Sequence, residues 1–479
     1  MTPPPFDLAQ VLGESFALRE QAEGYARAYL EGVHHRPVAP DSEALASLEG
    51  FREALPAEGV APPAVLEQLH RLGSPATTAQ GGGRFFGMVN GGALPITLAA
   101  RLLADSWDQN GAVAAVAPPI AALETVVEGW LQQLFGLPNT VAASFLSGSS
   151  LALVTGLAAG RWRLLQRQGY DVNAKGLTGA PPLRVVAGAH LHAAALKALA
   201  LLGFGRDQIE WVPVDDQGRL HREALPALDD RTLLLLQAGN VNSGAFDPFH
   251  LLVADARAAG AWVHVDGAFG LWAAAAPQLA ALTAGHEQAH SWSVDAHKTL
   301  NVPYDSGIAL CADPEALFAA LGAEGAYLPS GTAGVLGLNR DGLRYGPEMS
   351  RRGRVVELWA ALKSLGAEGV AQLVTQLHER AGQLRDGLAE AGFPVLNDVV
   401  FNQVLVDVGP DADAFAAALR ESGEAWAGAS RWFDQPVLRL SVCSWVTSKD
   451  DIARTVQAMV RCRKAQAQDE GLSQPQGVV

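Results

Sequence analysis

The sequence is short of cysteine, of lysine and of long apolar runs, and each shortage narrows the reading. Cys311, Cys443 and Cys462 are the only cysteines in 479 residues. An odd, sparse set argues against a disulfide framework and suits a reducing compartment, so a cytoplasmic location is expected. No stretch of about 18 uncharged apolar residues occurs, so no membrane span is expected. The opening MTPPPFDLAQ lacks a basic region followed by an apolar run, so no signal peptide is expected either. Positive charge is also scarce: 35 Lys and Arg stand against 50 Asp and Glu, for a net charge of −15. Such a chain has no electrostatic pull on nucleic acid or an anionic membrane, and neither is expected as a partner. Only Lys175, Lys197, Lys298, Lys363, Lys449 and Lys464 are lysines, so each is worth inspecting.

What is present is the composition of a large globular enzyme, 49% apolar and 18% charged, long enough for two or more domains. Residues 1–80 read as a helical segment with Pro-containing breaks. Residues 81–375 alternate short apolar strands with helices: LRVVAGAH, IEWVPVD, TLLLLQAG and AWVHVDGAFG are strands, and DPFHLLVADARAAG is a helix. That alternation predicts an α/β domain with a mostly parallel sheet covered on both faces. Residues 376–479 read as a smaller α+β domain, with VVFNQVLVDV and PVLRLSVCSWVT as strands.

Four stretches could carry chemistry. Lys298 sits between two strand-like segments in SWSVDAHKTLNVPYDSG, where burial could depress its pKa and make it a Schiff-base nucleophile; a structural ion pair is the competing reading. The other five lysines read as surface residues. Asp266 ends the apolar strand VHVD, at the strand end where open α/β sheets bind ligands. A buried Asp needs a cation or backbone N–H groups. LSGSSLA places small residues before a helix, which forms either a phosphate site or a simple cap. His190 and His192, in AGAHLHAAALKAL, either start a helix or stack on a flat ligand. HEQAH, residues 286–290, matches a zinc-hydrolase pattern. A glycine before it and a strand directly after it leave room for little more than one helical turn, so no metal is expected there.

The order Gly/Ser turn, His, strand–Asp and His-Lys resembles the group II pyridoxal phosphate (PLP)-dependent amino-acid decarboxylases, the family of aromatic-amino-acid and glutamate decarboxylases. The likeness runs from about GRFFGMVNGG to LRLSVCSWVT. It implies a PLP-dependent transferase-like (fold type I) large domain with a mostly parallel seven-stranded sheet. It also implies a homodimer with the site at the interface, formed partly by the N-terminal helices. By resemblance Lys298 carries PLP, Asp266 holds the pyridine nitrogen, Ala268 packs under the ring and His192 stacks on it. Gly148, Ser149 and Ser150 form the phosphate turn, with Asp295 and His297 nearby, and Tyr327 is the general acid.

The implied reaction is decarboxylation of an L-amino acid to the amine and CO₂. Phe85 and Phe86, with Trp107 near them, suggest an apolar wall and so an aromatic substrate. Glutamate, aspartate or 2,4-diaminobutyrate decarboxylation, and aldehyde synthesis on the same scaffold, stay open. A PLP-binding protein without catalysis is the alternative of a different class, and the intact Lys298, Asp266, His192 and Tyr327 oppose it. Two departures stand out. Asn240 and Val241 replace the family's usual Thr pair, so by resemblance Asn240 takes the place beside the cofactor while a hydroxyl contact there is in doubt, and Leu151 and Leu153 follow the phosphate turn in place of polar residues.

Overall fold

The computed structural model describes residues 8–322 and 340–472. Its strands are β1 (Ala142–Leu146), β2 (Arg184–Gly188), β3 (Ile209–Val212), β4 (Thr232–Gln237), β5 (Trp262–Asp266), β6 (Ser291–Asp295), β7 (Gly307–Cys311), β8 (Gln403–Val406), β9 (Gly428–Trp432) and β10 (Gln435–Ser441). The first seven form one sheet in the order β1-β7-β6-β5-β4-β2-β3. β7 runs antiparallel to both neighbours, and every other pairing is parallel. This is the α/β architecture expected of fold type I.

The apolar run of β4 shows why the sheet lies between helices. Leu233 and Leu235 face a core shared with Leu153 and Leu157 of helix Ser149–Arg167. Leu234 and Leu236 face the other core, with Phe249 and Leu252 of helix Phe249–Ala258. All four leucines are buried, and each contributes about 1.5–3 kcal/mol over an exposed position. A strand with two buried faces reads as a continuous apolar run, which is how TLLLLQ appears in the sequence.

The N-terminal segment is helical, as expected: Leu8–Val33, Ser42–Ser47 and Pro62–Ala76. The C-terminal part is a three-stranded antiparallel sheet, β8-β10-β9. Helices Ala412–Glu421 and Lys449–Leu472 belong to this part. Helix Val355–Glu390 runs through position 375, and its break in direction comes at Gly366, whose φ of 63° lies in the left-handed region. Among the described residues no helix is long and apolar enough to cross a membrane.

Candidate active site

Five connections converge where the parallel strands end. Asp266 is the last residue of β5 and pairs in register with Ser293 of β6. Asp295 is the last residue of β6, and the turn after it carries His297 and Lys298. β1 leads through Ser147 and Gly148 into helix Ser149–Arg167. β2 leads to His192, which caps helix Ala193–Leu201. β4 leads to Asn240.

Asp295 is the hub of this cluster. Its Oδ2 lies 3.1 Å from Lys298 Nζ, and its Oδ1 accepts the Ser149 N–H at 2.6 Å. His297 Nε2 is 3.5 Å from the same Oδ1, while its Nδ1 accepts the Ser306 N–H at 3.1 Å. One carboxylate therefore ties the lysine to the first turn of the helix. Burial is the largest effect on His297 and lowers its pKa; Asp295 opposes it and Lys298 adds to it. The His297 ring stacks on Tyr304 at 4.3 Å, and the Tyr304 hydroxyl donates to Asn90 Oδ1 at 2.6 Å.

Asp266 is buried, and its Oδ1 accepts from Ser293 Oγ and from the Ala268 N–H, both at 3.2 Å. Among the described residues its Oδ2 has no protein donor. His192 Nδ1 accepts the Ala194 N–H at 3.3 Å, which leaves the ring proton on Nε2. Burial also lowers the His192 pKa, against the pull of Asp266, so the imidazole is neutral near pH 7.

Close backbone approach shapes the cradle. A Cβ on Gly307 would lie 2.3 Å from Gly148 Cα, and one on Gly148 would lie 3.3 Å from His297 Cε1. Gly307 is required for β7 to meet the Gly/Ser turn, and Gly148 keeps close contact with His297. The helix behind the turn directs its positive end into the same space.

The structure thus gathers Lys298, Asp266, Ala268, His192, Gly148, Ser149, Ser150, Asp295 and His297 around these strand ends. It does not place all the expected residues there. Asn240 Oδ1 turns back to its own loop, accepting the N–H groups of Asn242 at 2.9 Å and Ser243 at 3.3 Å, so its side chain shapes the turn. Phe85 and Phe86 are only 3% and 0% exposed. Phe85 stacks on Trp426 at 4.9 Å and Phe86 belongs to the main core, so neither ring lines an open substrate wall. Two adjacent aromatics in a glycine-rich loop satisfied packing, because the loop is pinned to the C-terminal part through Phe86 N–H to Trp426 O and Ser441 N–H to Phe86 O. Trp107 is exposed at the end of helix Pro95–Trp107. Beside it lies a surface cavity of about 670 Å³ lined by Asp105, Asp108 and Arg351 among others, and none of the strand-end groups lines it. Tyr327 lies outside the described residues.

Two further residues were missed in the sequence. Arg439 of β10 is half-buried; among the described residues its NH1 donates to Val241 O at 3.3 Å, and its buried Nε has no partner. Desolvation lowers its pKa, and its charge acts on His192. The signal was an arginine inside the apolar strand VLRLSV. Asn301 is fully buried and ties the lysine turn to two distant segments. Its Oδ1 accepts from Gly92 N at 2.6 Å and Trp445 N at 3.0 Å, and its Nδ2 donates to Cys443 O at 3.0 Å. An asparagine in a loop carries no such signal.

HEQAH forms a short 3-10 turn, His286–Gln288, followed by β6. His290 Nδ1 accepts the Val263 N–H at 3.0 Å and its ring stacks on Trp262 at 5.0 Å. The His286 ring packs edge-on against Trp292. The two rings serve packing. Among the described residues no group of three or more His, Cys, Asp or Glu side chains stands together as a metal-ligand set.

The site fits PLP on this structure's own terms. It offers a lysine amine, an open carboxylate oxygen on a buried Asp, a neutral histidine, and a helix N-terminus behind a cradle that a Cβ would fill. Comparison with known proteins agrees. Residues 46–406 match the pyridoxal-dependent decarboxylase conserved domain. L-2,4-diaminobutyrate decarboxylase of Rhizobium meliloti is 29% identical over 66% of this chain, a match that spans 62% of the relative's length. Aromatic-L-amino-acid decarboxylase of Bacillus atrophaeus is 26% identical over 72% of each chain. The crystal structure of Oryza sativa TDC with PLP and tryptamine superposes with a TM-score of 0.86 at 20% identity, over 97% of this chain and 100% of that one, which shows a shared fold. With the match covering most of its length, the chain belongs to the pyridoxal-dependent decarboxylase family.

Proposed function

We propose that the protein removes the α-carboxylate of an L-amino acid as CO₂ and releases the amine. The observation that carries this is the meeting of Lys298, Asp295 and the Ser149 N–H, beside the open oxygen of Asp266. Bound PLP supplies an electron sink for the bond that breaks. The residues supply the rest. Lys298 would carry the cofactor, the first turn of helix Ser149–Arg167 would receive its phosphate, and Asp266 Oδ2 would accept a hydrogen bond from its protonated ring nitrogen. His192 presents Nε2–H to the substrate side. Arg439, a half-buried cation with no carboxylate partner among the described residues, holds the substrate α-carboxylate and fixes the direction of the breaking bond.

An aromatic amino acid is the first substrate class. Two relatives are named for aromatic substrates, aromatic-L-amino-acid and tyrosine decarboxylase. Trp432 and Phe433 also pack around His190, at 4.8 and 4.7 Å, two residues from His192. The second class is a diamino acid, favoured by the enclosure of Phe85 and Phe86 and by the name of the Rhizobium meliloti relative. We further propose a homodimer, because the N-terminal helices expose Leu8, Val11, Leu12, Phe16 and Leu69 to solvent in the single chain. The test is release of CO₂ and amine from each of the twenty amino acids and 2,4-diaminobutyrate by the PLP-loaded protein. Amine from an aromatic substrate supports the first class; amine from 2,4-diaminobutyrate alone selects the second. Absence of CO₂ from every substrate sinks the decarboxylase reading.

A further inference from the structure

Deeper along β5 and β6 than Asp266, the sheet carries polar groups where a core usually carries apolar ones. His264, Ser291 and Ser293 are each 0% exposed. Ser293 Oγ is 3.2 Å from Asp266 Oδ1, and His264 Nε2 is 3.4 Å from Ser293 Oγ. On the other side of the ring, His264 Nδ1 is 2.8 Å from Ser291 Oγ, which receives the Trp262 indole N–H at 3.0 Å. The two ends fix the direction of this chain. An indole N–H can only donate, and an ionised carboxylate can only accept. Trp262 therefore donates to Ser291 and the Ser291 hydroxyl to His264 Nδ1; His264 Nε2–H donates to Ser293, and the Ser293 hydroxyl to Asp266. The Gly156 carbonyl competes for the Ser291 hydroxyl from 3.5 Å, farther than the imidazole nitrogen. Room for the ring is built in. A Cβ on Gly156 would lie 2.8 Å from His264 Nδ1 and Cε1, so a glycine in the helix that carries the Gly/Ser turn admits the imidazole. Burial pushes the His264 pKa down to about 3, so the ring enters the chain with a single proton.

We propose that Ser293 and His264 are positioning residues for the cofactor: through this one-way chain they hold the Asp266 carboxylate with Oδ1 turned into the sheet and Oδ2 presented to the ring nitrogen. The proposal rests on the reading of Asp266 as partner of that nitrogen. Oδ1 is occupied by Ser293 and the Ala268 N–H, so rotation of the carboxylate breaks two hydrogen bonds. Donors aligned in series polarise one another, which strengthens the last bond.

The test compares PLP-loaded Ser293→Ala, Ser293→Thr and His264→Phe with Asp266→Asn. Ser293→Ala is expected to lower kcat about tenfold, the cost of one hydrogen bond to a charged group, with KM changed less than about twofold. It is also expected to shift the visible absorption maximum of the bound cofactor, and Ser293→Thr to restore both. Nitrogen NMR of histidine-labelled, unsubstituted protein is expected to show His264 protonated at Nε2; protonation at Nδ1 overturns the chain even if a variant fails to fold. If Asp266→Asn alters kcat and absorption while Ser293→Ala and His264→Phe alter neither, the chain is wrong and the Asp266 reading stands. If Asp266→Asn leaves both at their original values, the Asp266 reading itself falls and the proposal with it.

Discussion

His286 and His290 stand just before β6, and His297 and Lys298 just after it. In letters the two stretches look alike, since each combines histidines with an acidic residue. In space they differ. Before the strand each imidazole is absorbed by packing, His290 on Trp262 and His286 against Trp292. After the strand, Asp295 reaches Lys298, His297 and the Ser149 N–H together, and Asp266 ends the neighbouring strand in register with Ser293, two residues before Asp295. A site comes from chains of different sequence position delivering charge to one place, and that happens at strand ends rather than in a short turn beside one strand.

The sharpest way to break this comparison is at Lys298. Lys298→Ala is expected to lower turnover by about 10³-fold or more and to abolish the visible absorption of lysine-bound cofactor. Turnover near the original value would mean that the stretch after β6 has been misread. Asp266→Asn keeps the shape and removes the charge, so kcat should fall about 100-fold, as when one preorganised electrostatic partner is lost; steady-state kinetics with saturating PLP measures it.

Arg439→Met separates function from stability. KM for the amino acid should rise about 30-fold or more, because a charged partner of the substrate is gone. The cofactor-free protein should gain about 1–3 kcal/mol in urea unfolding, since a buried Nε with no partner among the described residues is removed. Loss of stability instead would show that Arg439 serves the fold.

The smallest effect belongs to HEQAH. His286→Phe and His290→Gln should leave kcat and KM within about twofold, and act only on the pH dependence of stability. Burial pushes both pKa values from 6.5 down to about 4. The unfolded chain therefore binds protons that the folded chain refuses. The stability these groups contribute is present above pH 6.5 and is lost as pH falls towards about 4. Asp247, raised to about 6 by burial, works the opposite way: its contribution is present below 3.8 and lost as pH rises through about 6. The melting temperature should fall between pH 6.5 and pH 4, and each histidine substitution should flatten that slope by about one proton. An unchanged slope, or lost activity, would remove the distinction between the two stretches.

Much of this was legible in the letters. The apolar runs of β4, β5 and β6 are buried on both faces, so their alternation with helices stands out without coordinates. β1 and β9 were harder. AASFL runs directly into the Gly/Ser turn and looks like part of it. GASRW is small and polar because most of it is only partly buried, so it has no apolar period. Phe85 and Phe86 misled for a related reason: a glycine-rich loop suggests exposure, and this one is clamped beneath the C-terminal part.

The sequence by itself determined the layered fold, the lysine and the strand-end aspartate, because burial period and chain order are local properties written in consecutive residues. Tertiary structure alone decided which groups meet. Asp295 joins a lysine three residues away to a serine N–H 146 positions earlier. Asn301 stitches together segments around residues 92 and 445, and Arg439 arrives from the C-terminal sheet with no carboxylate among the described residues to neutralise it. Such contacts depend on distance and desolvation, which act through space and leave no period in the sequence.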